Sequence, residues 1–527
     1  MHRLYGRVGE TGIDERMEAE RATSDSKSAA EIGAIQLRRW FRRDVERPLE
    51  NLVGGPRRLK VIALLACVLA LDAADKATVG AVAAQLEHDL HIGNVEIGSL
   101  VTVSTAIGAF ATLPFGVLVD RMNRRRLLVI GVALWSFAMV AAGASVNYPM
   151  LLLSRLGLGA VVAVASPAIA SLTGDFFHPS ERGRIYGYIL AGELIGVAFG
   201  FLISGNLAAV VSWRVPFFVL AAFGVALAVL IAYKLTEPRR GGQSRMTDEN
   251  SDSEETHPVA DIVDERDIEP RGDLVLHEDP EHMSLWRAVK YVLSVPTYRV
   301  LIIASALGYF YFTGLRTFAI VYMRERFHLE QALASTVSVG VGLGAIVGVL
   351  AAGALADGMI DRGKLTGRII VGSGAYFLAT GALTVGLLVP TLAFAAPFFF
   401  LSAAGLGGAN PAVDSARLDI MHSRLWGRAE GVRSTLLYAF QAAAPPLFGW
   451  ISKIFGGSGG GLGQPAKGQS GAGLDASFLI MLVTLALAGF VMLRALKTYP
   501  RDVATAIASE QSAPPKERVA RRVGDQA

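Results

Sequence analysis

Asp72, Asp75 and Lys76 lie within five residues of one another inside Leu59–Ala84, a run that is otherwise almost wholly apolar. An ionisable side chain at the centre of a bilayer costs about 2.5–3.5 kcal/mol on insertion scales. A segment reading Leu64-Leu65-Ala66-Cys67-Val68-Leu69-Ala70-Leu71 is therefore expected to hold three such groups only where they face a water-filled cavity. Helical spacing sets Asp72 beside both Asp75 and Lys76, because residues three and four apart share a face. Carboxylates so placed can exchange protons with the cavity, and Glu193, inside another apolar run, can do the same. Arg155 and Arg316 also fall within apolar runs. A rise of about 1.5 Å per residue brings Asp75, Arg155 and Arg316 to one level, with Glu193 deeper, near the midplane. The expected division of labour is proton exchange at Asp75, Asp72, Lys76 and Glu193, and ligand contact at Arg155, Arg316, Tyr309 and Gln441. The plainer alternatives are a structural Asp75–Lys76 pair and an Arg155 that snorkels to the surface. Asp414 and Arg417 read as gate or latch residues.

The elements that must position these groups follow from composition. Of 527 residues, 52% are hydrophobic and 18% charged, which marks an all-α, polytopic membrane protein. Runs of roughly 20 apolar residues begin near Leu59, Val95, Leu127, Met150, Ile185 and Trp213. A second set begins near Thr297, Ala332, Arg368, Thr391, Val432 and Phe478. The expectation is twelve transmembrane helices in two six-helix bundles, residues 59–238 and 295–497. A tail, residues 1–58, precedes them, a linker, residues 239–294, joins them and a second tail, residues 498–527, follows. Thr247–Glu281 carries fourteen acidic and two basic residues and reads as disordered. Gln36–Leu52 and Ser284–Leu293 read as interfacial helices. Arginine and lysine crowd the loops at Arg121–Arg126, Arg182–Arg184, Arg362–Arg368 and Arg424–Arg433. The positive-inside rule then puts those loops, the linker and both termini in the cytoplasm, with the protein in the inner (plasma) membrane.

The halves repeat. At an offset of 244, Pro167, Ser171, Asp175, His178, Gly183 and Arg184 match Pro411, Ser415, Asp419, His422, Gly427 and Arg428. At an offset of 237, His91, Gly116, Asp120 and Arg125 match His328, Gly353, Asp357 and Arg362. Same-direction six-helix repeats are the arrangement of major facilitator transporters. The loop Gly116-Val-Leu118-Val-Asp120-Arg121-Met-Asn123-Arg124-Arg125 resembles that superfamily's signature between helices 2 and 3. The resemblance implies a conformational latch made of Gly116, Asp120, Arg121, Arg124 and Arg125, echoed by Asp357 and Arg362. Asp75-Lys76, Trp135-Ser136, Asn147 to Arg155, Pro167 to Asp175 and Ser212-Trp213-Arg214 are similar to the spinster-like transporters over roughly residues 59–235. The family's acid–arginine dipeptide is Asp75-Lys76 here, and its helix 4 Gly-Glu-Ala is Val161-Val162-Ala163, which makes Glu193 the replacement carboxylate. The resemblance implies a proton-coupled, alternating-access carrier of a small amphipathic, lysolipid-like substrate. A drug or metabolite exporter shares the same signature, and a non-transporting scaffold or receptor is the reading from another class.

Several chemistries find no support in the sequence. Cys67 is the only cysteine, so no disulfide or cysteine–metal site is expected, and His88 with His91 lacks the remaining ligands. The glycine-rich loop Gly456–Gly473 has no phosphate-loop pattern. No nucleophile constellation suggests an enzyme, and a net charge of +4 suggests no nucleic-acid partner. The expected partners are substrate, protons and membrane lipid, with no cofactor or metal, in a monomer.

Overall fold

The computed structural model describes Glu50 and residues 53–92, 94–240, 258–329, 331–456 and 470–512. Among the described residues there are seventeen α-helices and no strand. The first half contributes α1 (Pro56–Ala81), α2 (Ala83–Leu90), α3 (Asn94–Arg121), α4 (Arg124–Gly143), α5 (Tyr148–Val162), α6 (Ala165–Phe176), α7 (Arg182–Val210) and α8 (Val215–Lys234). The linker contributes α9 (Pro258–Glu265) and α10 (Leu285–Ser294). The second half contributes α11 (Pro296–Phe327), α12 (Gln331–Ile360), α13 (Gly367–Leu388), α14 (Leu392–Asp419), α15 (Trp426–Gly456), α16 (Ser470–Leu493) and α17 (Ala495–Ser512). Two compact units divide the chain, Met1–Val61 with Asp248–Ser251 and Ile62–Thr247 with Asp252–Ala527. In the first unit, Arg58 Nε donates to the Val53 carbonyl at 2.6 Å. Everything below lies in the second.

Among the described residues, eight helices are long and apolar enough to cross a membrane, in α4, α7, α8, α11, α12, α13, α14 and α16. Three of the expected spans depart from that pattern for visible reasons. α1 holds Asp72, Asp75 and Lys76, and α15 holds Arg428, Glu430, Arg433, Gln441 and a Pro445-Pro446 pair. The span expected as one helix from Met150 is broken at Ala163–Val164 into α5 and α6.

Small residues set how closely the helices approach. On α7, Gly192, Gly196 and Gly200 lie against Ala66, Ala70 and Ala74 of α1. A methyl at Gly196 would sit 2.3 Å from the Ala70 carbonyl oxygen, and one at Gly200 2.5 Å from that of Ala74. This small-xxx-small register brings the backbones together as in membrane dimers. Asp72 and Lys76 are two positions from the alanine row, about 200° round the helix, so the packing aims them away from α7's glycines. The first half meets the second mainly through α3 with α15 and α7 with α12, and further through α6 with α15 and α7 with α14.

Two expectations need correction. The acidic linker is ordered from Pro258 onward, because Val259, Ile262 and Val263 are buried and its carboxylates and carbonyls meet arginines. The segment following residue 498 is not a bare tail, since α17 runs to Ser512 and buries Tyr499, Val503 and Ala504. The interfacial helix expected over Gln36–Leu52 lies, Glu50 apart, outside the described residues, as do linker residues 241–257, loop residues 457–469 and residues 513–527.

Gly196→Leu should overpack the α1–α7 contact and destabilise the protein by about 1–3 kcal/mol. Gly205→Ala on the same helix, which meets nothing within 4 Å, should not. Thermal unfolding in detergent compares the two, and equal melting temperatures would refute the packing account.

Candidate functional site

The charges of α1 divide into two pairs. Arg155 on α5 donates through Nη1 to both oxygens of Asp75, at 2.7 and 2.8 Å. Both side chains are 2% exposed, and the guanidinium stacks on the Phe217 ring, 5.2 Å from its centroid. Arg155 Nε and Nη2 have no hydrogen-bond partner among the described residues. The second pair is Lys76 with Asp72, 2.6 Å apart and half-open to solvent. The helical spacing that set Asp72 beside Lys76 thus yields a pair, whereas the plainer alternative of an Asp75–Lys76 pair gives way to Asp75–Arg155.

A cavity of about 400 Å³ opens beside them, lined by Asp72, Asp75, Lys76, Ser104, Thr112 and Tyr438 among apolar neighbours. Tyr438 comes from α15, so the second half closes the cavity's far wall. Glu193 has Lys76, Asp72, Arg316 and Asp414 within electrostatic reach, and Arg316 is exposed, with Glu193 and Asp72 as its acidic neighbours. Tyr309, half-buried, stands near Asp414, Glu193 and Arg433. Gln441 is half-buried on α15, three residues beyond Tyr438. On the other side of Asp72 lies an apolar pocket of about 360 Å³, lined by Val68, Leu71, Leu128, Val132, Trp135 and Val164.

At the Asp120 end the two halves are tied by a reciprocal pair of helix caps. The Asp120 carboxylate, on α3, accepts from the Gly427 and Arg428 backbone amides at 2.8 and 2.9 Å and from Arg428 Nε at 2.8 Å. The Asp357 carboxylate, on α12, accepts from the Gly183 and Arg184 amides at 3.0 and 2.6 Å. Each acid satisfies the orphan N–H groups that begin a helix of the opposite half, and its charge complements the helix dipole. Gly116 and Gly353 permit the approach. A Cβ on Gly116 would meet the Gly427 carbonyl oxygen at 2.5 Å, and one on Gly353 would meet that of Gly183 at 2.3 Å.

The signature arginines behave differently from expectation. Arg124 holds its own half, bonding Asp175, Glu237 at 2.9 Å, Ser171 at 2.9 Å and the Pro238 carbonyl at 2.8 Å. Arg125 bonds Ala232 and, through its backbone, Glu237. Arg121 reaches the linker carbonyls of Glu281 and Met283. Arg362 is exposed, and the second-half counterpart of Arg124 is Arg368, which pairs with Asp419 and lies 3.6 Å from Asp357. Arg124–Asp175 and Arg368–Asp419 are related by the 244 offset, whereas the loop register of 237 had pointed to Arg362.

Sequence reasoning also missed a buried network. Glu430, fully buried, pairs with Arg417 and accepts from Arg433 at 3.0 Å, Ser434 at 2.8 Å and Ser166 of α6 at 2.6 Å. Asp414 lies 3.2 Å from Arg417 and 3.6 Å from Arg433. Arg417 and Asp414 were visible as intramembrane charges. Glu430 stood too close to the arginine-rich loop before α15 to be distinguished from it.

This geometry has a family. The profile described as Major Facilitator Superfamily matches residues 64–422, and the chain belongs to it. It is a multi-pass membrane protein of that superfamily and resembles the spinster-like family. It is 29% identical over 218 residues to the "Probable L-galactonate transporter" of Escherichia coli, covering 40% of this chain and 47% of that one. It is 26% identical over 191 residues to "Protein spinster homolog 1" of Xenopus tropicalis, covering 36% of each. The chain thus spans less than half the length of these relatives. A bacterial homologue of the human lysosomal transporter Spinster, in an inward-facing and occupied conformation, superposes with a TM-score of 0.55 at 19% identity, over 85% of this chain and 98% of that one.

The caps generate an expectation that needs no substrate. In a Cys67→Ser background, a cysteine replacing buried Val432 on α15 should react slowly with a maleimide. Asp120→Asn, which removes a charge-assisted acceptor worth about 1.5–3 kcal/mol, should speed that reaction about tenfold or more. An unchanged rate would mean the cap does not hold the halves together.

Proposed function

We propose that this protein is a proton-coupled, alternating-access carrier of a small organic anion in the inner membrane. On this reading α1, α3, α5 with α6, and α15 complete twelve spans in two bundles of six, and the Asp120 end faces the cytoplasm. The arginine-rich loops support that orientation. The reciprocal caps then close the cytoplasmic side, with Gly116, Asp120, Asp357 and their partners forming the latch.

The observation that carries the coupling is the sealed Asp75–Arg155 pair. Removing one member of a buried pair leaves the other uncompensated, at about 3–5 kcal/mol. A proton on Asp75 therefore creates a demand for another anion at Arg155, whose Nε and Nη2 are unpartnered among the described residues. Guanidinium's planar fork suits a carboxylate or phosphate. Proton and anion then bind together or not at all, which is the differential binding that shifts a two-state carrier. Lys76, Arg316 and Glu193 set the cavity's field, and protonation of Asp72 or Glu193 would release a cation toward the same anion. Tyr438 and Gln441 of α15, with Tyr309 of α11, supply hydrogen bonds from the second half. The likeness to a probable galactonate carrier supports a carboxylate substrate, and the polar groups lining the cavity, Lys76, Ser104, Thr112 and Tyr438, suit the hydroxyls and carboxylate of a sugar acid. A lysolipid-like amphipath is the second reading, favoured by the spinster resemblance and by the apolar pocket across Asp72.

Asp75→Asn should abolish proton-driven accumulation in proteoliposomes yet preserve counterflow. Anion binding by the unmodified protein should strengthen as pH falls, because the proton must arrive with the anion, and the variant's should become insensitive to pH. Gradient-driven uptake by the variant would move the coupling role to Asp72 or Glu193.

The two substrate readings separate on chain length. With L-galactonate and a series of alkyl phosphates as competitors, a small-anion site should favour the sugar acid, with affinity falling as the alkyl chain grows. Affinity that rises with each added methylene, and falls when Leu128→Asn polarises the apolar pocket, would establish the amphipath.

A further inference from the structure

The central linker does more than join the halves. Its described part is anchored to the second half at five places. Arg266 donates to the Gly363 carbonyl at 2.6 Å. Arg271 pairs with Asp502 at 2.9 Å, and its amide donates to Thr505 Oγ1 at 2.9 Å. The Leu276 amide donates to Ser509 Oγ at 3.0 Å. Asp279 and Glu281 both meet Arg424. Arg428, the residue that holds Asp120, donates to the Pro280 and Met283 carbonyls at 3.0 Å each. Within the linker, the Tyr291 hydroxyl donates to the Leu274 carbonyl at 3.1 Å, and burial pushes that phenol up to about 12, so it stays a donor.

The same segment touches the first half at two places. Arg121, at the end of α3, donates to the Glu281 and Met283 carbonyls at 3.3 and 3.2 Å. The helix α9, with Val259, Ile262 and Val263 buried, packs against the turn Pro179–Glu181 that leads into α7. Both contacts flank a reciprocal cap: Arg121 follows Asp120, and the 179–181 turn precedes the Gly183 and Arg184 amides held by Asp357. A segment fastened to one half that grips the other beside both caps must let go when the halves part at this end.

We propose that residues 258–283 form an intramolecular brake, an acidic strap that rides on the second half and holds the Asp120 end shut until its grip on the first half is released. The proposal rests on the reading that the Asp120 end opens during the cycle. The anchors made by Arg266 and Arg271 bear neither on the cavity nor on the caps themselves. Arg428 contributes to both strap and cap, so it is not a useful probe, whereas Arg266 and Arg271 belong to the strap alone.

The test uses the full chain in a Cys67→Ser background, with Val432→Cys as reporter. Arg266→Ala with Arg271→Ala should detach the strap and raise the maleimide reaction rate about threefold or more, the population shift expected when one partly buried ion pair and one exposed hydrogen bond are lost. Melting temperature and elution profile report whether the variant is folded. A folded variant that labels at the original rate would overturn the proposal. Should the variant unfold, the opposite arm decides: cysteines replacing Arg121 and Met283, joined by a reducible bis-maleimide, should lock the reporter in its slow state until reductant restores it. A joined protein that still labels at the unlinked rate would also overturn it. Because labelling needs no substrate, an error in the substrate assignment leaves both outcomes readable.

Discussion

Two carboxylates cap two helix starts across the boundary between the halves, and the rest of the cytoplasmic architecture proposed here depends on that exchange. A helix begins with backbone N–H groups that lack intrahelical acceptors, and burying them uncapped would be costly. α15 and α7 both start in buried surroundings, at Gly427-Arg428 and Gly183-Arg184, so each must borrow an acceptor. Each takes it from the other half, Asp120 for α15 and Asp357 for α7. The bonds are therefore intrinsic to one conformation: separating the halves at this end exposes the same amides to water, which can satisfy them. That makes the joint reversible. Glycines at 116, 183, 353 and 427 are required for the same reason, since any side chain there would keep the carboxylates out of reach.

Much of this was legible in the sequence because the repeat carries it. The Asp120/Asp357 and Gly183/Gly427 matches named the capping residues before any helix was placed. His91 and His328, matched at the same 237 offset, both adopt left-handed backbone at helix ends, with φ of 51° and 53°. Such a conformation is uncommon outside glycine, so its recurrence is a structural trace of the repeat. What was not legible concerns side-chain reach. Arginine spans two or three helical positions, and loop register alone could not distinguish Arg362 from Arg368. Composition also misjudged the linker, because acidity that would keep a free chain disordered becomes an asset beside Arg424, while Arg428 and Arg121 hold its backbone carbonyls.

The halves share a scaffold and divide the chemistry. At the 237 offset, Asp72, Asp75 and Lys76 correspond to Tyr309, Phe312 and Thr313, and at 244 Arg155 corresponds to Phe399. The second half therefore has aromatic and neutral groups wherever the first half has its central charges. Near the Asp120 end the asymmetry reverses. Arg417, Glu430 and Arg433 correspond to Thr173, Tyr186 and Ile189, so the charges belong to the second half. The reciprocal caps keep the symmetry of the repeat, whereas the central charges belong to one bundle and the buried Glu430 network to the other.

α15 connects the two. Its first turn is capped by Asp120, its second holds Glu430 and Arg433, and about 15 Å from the cap at 1.5 Å per residue Tyr438 closes the wall opposite Asp72, Asp75 and Lys76. A rigid helix gripped at one end by the cap, and contributing to the cavity at the other, cannot move at one without moving at the other. The Pro445-Pro446 pair lies beyond Tyr438, so the segment between cap and cavity contains no proline to absorb the motion. Under the proposed function, anion and proton at the Asp75 level would bias the cap through one continuous helix, with no chain of side-chain rearrangements needed between them.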